Sequence, residues 1–136
     1  GDVYTALQTG IIDGTENNET ALTTGMHGEI CKFYSVDQHT MIPDVLVIAT
    51  DTWEKLSEED RQLLIDTAKE STESHIEKWE QAVAEAVETA TNDMGVTFIE
   101  NVDKQAFRSA TADMIESYKA QYPKVGDVLE IINSVE

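Results

Sequence analysis

The stretch Ile11-Ile12-Asp13-Gly14-Thr15-Glu16-Asn17-Asn18 decides how the chain is read. Two β-branched residues predict a short strand, and Asp13-Gly14 is a turn signal. Asn17-Asn18 supply amide side chains that suit the start of a helix running on from Glu19. An amide at such a corner has two readings. It caps the helix by accepting from the first free N–H groups, or it donates to an anion drawn to the positive end of the helix dipole. The residues of the corner leave both open.

Outward from this corner, the chain alternates helical and extended signals. Upstream, Val3, Tyr4, Ala6 and Leu7 have helix-like spacing and end at Gly10, a C-terminal stop. Downstream, the segment from Glu19 to Ile30 or Cys31 reads as helix, although Gly25 and Gly28 each cost about 1 kcal/mol relative to Ala and mark close packing. Phe33-Tyr34-Ser35-Val36 reads as a strand, followed by the polar corner Asp37-Gln38-His39-Thr40. Pro43 holds its neighbour extended, and Val45-Leu46-Val47-Ile48 is a continuous apolar run suited to a strand buried on both faces of an open α/β sheet. In such sheets ligands sit beyond the strand ends.

Ser57-Glu58-Glu59-Asp60 opens the longest element. Ser57 is a good N-cap, and the three acids suit the positive end of the dipole. No Pro or Gly interrupts until Gly95. A helix of that extent, at about 1.5 Å per residue, reaches about 50 Å, so it overhangs one domain or joins two. Its apolar stripe, including Leu64, Ile76, Trp79, Ala82, Ala86 and Ala90, turns Ala-rich in the second half and allows close approach of another backbone. A break near Thr72-Glu73-Ser74 or a coiled-coil arm are the alternatives, though the stripe keeps no strict heptad. Val96-Thr97-Phe98-Ile99 predicts another strand. Asp103 caps a helix ending before Pro123, and a last helix starts near Gly126.

Composition excludes some functions. With 27 acidic and 9 basic residues the formal charge is −18, so nucleic acid, which needs a basic footprint, is not a partner. The longest apolar run, Val45 to Ala49, is far short of the roughly 20 residues of a membrane helix. An anionic ligand needs a local cation, and between Gly1 and Thr50 the only one is Lys32. No enzyme signature stands out. His27 and Cys31 share a helical face and with His39 could hold zinc, but structural zinc wants four ligands at tighter spacing. Cys31 is more simply a small apolar residue, and turn and cap positions account for Asp13 and Glu16. No phosphate loop, nucleophile elbow or paired-His metal helix is present, so no cofactor is expected.

With its flanks the opening stretch reads Val3-Tyr4-Thr5-Ala6-Leu7-Gln8-Thr9-Gly10-Ile11-Ile12-Asp13-Gly14-Thr15-Glu16-Asn17-Asn18. This resembles the Y-x-A-L-Q-x-G-x-x-D-G-x-E-N signature of the solute-binding proteins of tripartite ATP-independent periplasmic (TRAP) transporters. The match continues through Lys32-Phe33-Tyr34-Ser35, His39, Pro43, Thr52-Trp53-Glu54-Lys55-Leu56-Ser57 and the long helix.

The resemblance implies an α/β chain that is the C-terminal portion of a two-lobed, type II periplasmic-binding-protein-like fold with one long interlobe helix. Residues 1–42 and 83–136 would then belong to one lobe, and residues 43–82 to the other lobe and the hinge. The implied function is a periplasmic, non-enzymatic subunit that closes over a small organic acid and delivers it to TRAP membrane subunits. Asn17 maps onto the asparagine that contacts the ligand carboxylate, and His39 onto a ligand-proximal histidine. Gln38 beside it and Asp44 are further ligand-binding candidates. The family's dominant carboxylate-binding arginine precedes the segment matched by Gly1, so these 136 residues alone are expected to bind poorly and to dimerise, by exchanging the long helix or a strand. The competing function is an acidic helical interaction or adaptor protein with no small-molecule ligand.

Overall fold

A computed structural model describes residues 2–135. The chain forms α1 (Asp2–Gln8), α2 (Thr20–Thr24), a single 3-10 turn at His27–Glu29, β1 (Phe33–Ser35), α3 (Thr50–Trp53), α4 (Glu58–Asn92), β2 (Thr97–Ile99), α5 (Lys104–Gln121) and α6 (Pro123–Asn133). β1 and β2 pair in parallel, with Phe33, Tyr34 and Ser35 opposite Thr97, Phe98 and Ile99. The architecture is the expected α/β one, dominated by helix. Two units are distinguished: one holds the residues up to Ser35 with Met41–Ile99, and the other holds Val36–Thr40 with the residues from Glu100 onward.

The first unit is built on small residues. Leu22 of α2, Ala90 of α4 and Val96 before β2 form a buried cluster, with Tyr34, Met94 and Phe98 packed against it. Ala90 is fully buried and Ala86 nearly so, the only buried positions of α4. The Ala-rich second half of the predicted stripe is therefore the half that another helix approaches, and that helix is α2. Gly28 serves the same contact. A Cβ there would stand 2.7 Å from Met94 Sδ and 3.2 Å from the Leu22 carbonyl oxygen, a separation no side chain fits without displacement.

α4 runs unbroken for 35 residues, without the alternative break at Thr72-Glu73-Ser74. Its start follows from the sequence: Ser57 Oγ accepts from the Asp60 N–H at 3.1 Å, and the Ser57 hydroxyl donates to Asp60 Oδ2 at 2.7 Å. Arg61 clasps the preceding turn, donating to the carbonyls of Trp53 and Glu54 with its guanidinium over the Trp53 ring.

Four expectations are corrected. Ile11-Ile12 is not a strand. Gly10, at φ +70°, ends α1 with a left-handed cap, and the N–H groups of Ile11 and Ile12 both donate to the Ala6 carbonyl. Those donors complete the helix end and are not available to a sheet ladder. The helix expected from Glu19 to Ile30 or Cys31 stops at Thr24, because Gly25 ends it and Met26 turns left-handed at φ 57°. Val45-Leu46-Val47-Ile48 carries no strand and is exposed rather than buried, with Leu46 84% accessible. No described strand lies beside it to accept its ladder bonds. The last helix begins at Pro123, not Gly126, since proline suits a first helical position where no N–H partner is needed.

In the second unit, Asp103 Oδ1 accepts from the Ala106 N–H at 3.1 Å and caps α5 as expected. α5 packs on α6, with the Tyr118 and Tyr122 rings stacked at 6.3 Å. Their apolar side chains, among them Phe107, Met114, Ile131 and Ile132, remain exposed.

The tightness of the α2–α4 contact sets an expected outcome. Ala90→Leu should lower stability by about 1–3 kcal/mol through overpacking, read as a drop in the urea midpoint at unchanged m-value. An unshifted midpoint would mean that the two helices are not in close contact.

Candidate functional site

Asn17 lies on an exposed loop between α1 and α2 that has neither helix nor strand. Its side-chain Oδ1 accepts from the Asn18 N–H at 2.9 Å, which occupies the carbonyl of the amide and leaves its NH2 on the other side of Cγ. Its main-chain carbonyl accepts from Tyr34 Oη at 2.9 Å. Asn18 Oδ1 accepts from Thr20 Oγ1 at 2.8 Å. Neither asparagine caps α2 through its side chain. The cap position is Glu19, without a side-chain bond, and α2 is only 5 residues long. The expectation of an amide on a substantial helix start is thus corrected: loop geometry, not a helix dipole, presents Asn17.

A cavity of about 310 Å³ opens beside this loop, walled by Ile12, Asn17, Leu22, Ile30, Lys32 and Tyr34 among others. Lys32, the one nearby cation foreseen in the sequence, is already engaged. Its Nζ donates to the carbonyls of Gly28 and Met94, both at 2.7 Å, where it ties the 3-10 turn to the end of α4. His27 and Cys31 border the same cavity. Among the described residues no three His, Cys, Asp or Glu side chains gather as a metal site would need.

Gln38 and His39 fall in the second unit, on the turn that follows β1. Gln38 is left-handed at φ 51°, a conformation that costs a residue with a Cβ about 1–3 kcal/mol. Its Oε1 accepts a short hydrogen bond from Lys104 Nζ at the start of α5. His39 Nδ1 lies 2.8 Å from Asp37 Oδ1. A carboxylate only accepts, so Nδ1 carries the proton, and this sets the ring orientation with Nε2 on the opposite side. The same bond holds the Asp37 carboxyl below its ordinary range, against a small opposing effect of burial. Asp44 belongs to the first unit, on the exposed segment before α3.

The structure thus brings Gln38 and His39 together with Asp37 and Lys104, and Asn17 together with Tyr34. Lys104, Asp37 and Tyr34 were not singled out from sequence. Parallel pairing of β1 and β2 offers the missing signal for Lys104. Segments leaving the same ends of two parallel neighbours, residues 36–40 and 100–104, are brought to one place.

Comparison with known proteins bears on the family of the chain. The model of the bacterial extracellular solute-binding protein family 7 (DctP) matches residues 1–121. A curated solute-binding protein of Chromohalobacter salexigens is 32% identical over 136 residues, which is 100% of this chain and 40% of the relative. A TRAP periplasmic solute-binding protein from Anaerococcus prevotii, solved with bound α/β-D-glucuronate, superposes with a TM-score of 0.88 at 41% identity, over 98% of this chain and 42% of its own. Another from Sulfitobacter, solved with bound β-D-galacturonate, gives 0.83 at 32% identity, over 93% of this chain and 42% of its own. The chain therefore spans about two fifths of the length of these relatives.

The Asp37–His39 bond has a pH signature. Asp37 is depressed, so the folded chain binds fewer protons than the unfolded one just below the ordinary carboxylate range. The bond's stabilisation is complete above that range and fades as pH falls through the lowered value. His39→Ala should move the Asp37 midpoint upward in a carboxyl-carbon NMR titration, and 1 M salt should shrink the difference, because the pair is partly solvent-exposed. Identical Asp37 titrations in parent and variant would show that the bond does not form.

Proposed function

Because the chain belongs to bacterial extracellular solute-binding protein family 7, the solute-binding proteins of TRAP transporters, we propose that it takes part in capturing a hexuronate, a sugar acid of the D-glucuronate type, in the periplasm. The observation that carries this reading is chemical agreement among solved relatives. Those at 41% and 32% identity hold D-glucuronate and D-galacturonate, two epimers with one carboxylate and several hydroxyls. The adaptor reading has no comparable support.

The residues fit that ligand class. The side-chain NH2 of Asn17 donates to the carboxylate. His39, oriented by Asp37, and the Gln38 amide supply further polar contacts, and the Asp44 carboxylate accepts from sugar hydroxyls, which a carboxylate ligand group could not offer it. Binding is followed by closure of two lobes, residues 1–42 and 83–136 contributing to one and 43–82 to the other and the hinge. The loaded form then passes the acid to membrane subunits, and no bond of the ligand is made or broken.

Melting of the full-length protein with D-glucuronate, D-galacturonate and a panel of other organic acids tests this. A uronate at a hundred times its Kd should add about 2.7 kcal/mol, seen as a raised Tm, and Asn17→Ala, by weakening binding, should reduce the rise. No rise with either uronate would remove the substrate class, and an undiminished rise in the variant would remove Asn17 from the site. The 136 residues by themselves should sediment as a dimer or larger, since exposed apolar side chains such as Leu46, Val47, Ile131 and Phe107 would be covered by a second copy. A single compact monomer would count against that.

A further inference from the structure

Asn17 C=O and Asn18 N–H belong to one peptide plane, and this plane is held at both edges. On the carbonyl edge Tyr34 Oη donates at 2.9 Å. On the N–H edge the Asn17 side chain folds back so that its own Oδ1 accepts at 2.9 Å. The direction of the side-chain NH2 is therefore a function of how this plane is tilted. A rotation of the plane would swing the amide with it.

On its downstream side the loop is tied through Asn18, whose carbonyl accepts from the Ala21 N–H at 3.1 Å and whose Oδ1 accepts from Thr20 Oγ1 at 2.8 Å; its upstream side has less to fix that tilt. Residues 13–17 form no helix or strand, and the backbone bonds of Ile11 and Ile12 serve the end of α1 instead. Tyr34, by contrast, is held firmly. It is the central residue of β1, paired in register with Phe98 of β2, and the two rings lie 5.1 Å apart at 45°. Both rings pack on the buried cluster of Leu22, Ala90 and Val96. The phenol thus carries the rigidity of the core out to the loop on a single oxygen.

On the reading that Asn17 meets the ligand carboxylate, we propose that Tyr34 is a positioning residue of the binding site, whose hydroxyl orients the Asn17 amide by fixing the 17–18 peptide plane without itself serving as the carboxylate donor. Tyr34→Phe removes the hydroxyl and keeps the ring on Phe98, so the core contact survives. Its effect on binding should be a loss of orientation.

The test is calorimetric titration of the full-length protein with D-glucuronate, comparing the parent, Tyr34→Phe, Asn17→Ala and the double variant, together with amide exchange at the Asn18 N–H without ligand. Tyr34→Phe should raise Kd about three- to tenfold, the scale of one neutral hydrogen bond, and should speed Asn18 exchange. In the Asn17→Ala background it should change Kd no further, because there is no amide left to orient. A purely structural hydroxyl would produce no such dependence on Asn17. An unchanged Kd in Tyr34→Phe, with Asn17→Ala weakened, overturns the positioning role and leaves the site standing. An equal loss in both backgrounds overturns it in favour of direct contact between hydroxyl and ligand. Unaltered affinity in Asn17→Ala, or no binding of D-glucuronate to the parent, overturns the site and this inference with it.

Discussion

The close approach of α2 to the second half of α4 is the constraint on which the first unit rests. Ala86 and Ala90 contribute almost no bulk, and Gly28 contributes none, so Leu22 and Val96 can close the gap. Everything nearer the candidate site is hung from that contact. β2 leaves it at Val96, β1 pairs with β2, and Tyr34 stands on β1 over Phe98. Lys32 adds an electrostatic seam by giving its ammonium to carbonyls at the ends of two elements, where a helix C-terminus favours positive charge. A larger side chain at the alanine positions would be felt at Asn17 through this succession of packed groups.

The scarcity of cations shapes the chemistry. Of 9 basic residues in a chain of charge −18, Lys32 is engaged by backbone carbonyls, Arg61 by the turn before α4, and Lys104 by Gln38. On the proposed reading, the contacts that Asn17, Gln38 and His39 offer a carboxylate come from neutral donors and histidine. Neutral donors carry direction more than attraction, which makes their orientation the quantity that matters.

Much of the fold was legible because local chemistry and tertiary structure agree. Ser57 and Asp103 both cap the helices they were read to cap, the long helix runs unbroken between Ser57 and Gly95, and Phe33–Ser35 and Thr97–Ile99 are strands. The two misread strands share a cause, which is that a strand exists only through its neighbour. Ile11-Ile12 has strand composition, but its donors close a helix. Val45–Ile48 has the composition of a central strand, yet no described neighbour pairs with it. For the candidate site, Asn17 and His39 were put forward by the family signature. Tyr34 and Lys104 were not, because a hydroxyl 17 positions from its acceptor and an ammonium 66 positions from its own are products of sheet pairing, invisible to local spacing.

The exposed run Val45-Leu46-Val47-Ile48 has a further consequence. It is uncharged, exposed and β-prone, and its backbone has no hydrogen-bond partner among the described residues, the composition that seeds cross-β aggregation when left open during folding. Directly before it stand Pro43, which cannot donate to a ladder, and Asp44, whose charge repels a second copy in register. These two residues have the chemistry of gatekeepers. Replacing Pro43, which the proposed site does not use, would tell in solubility rather than in affinity.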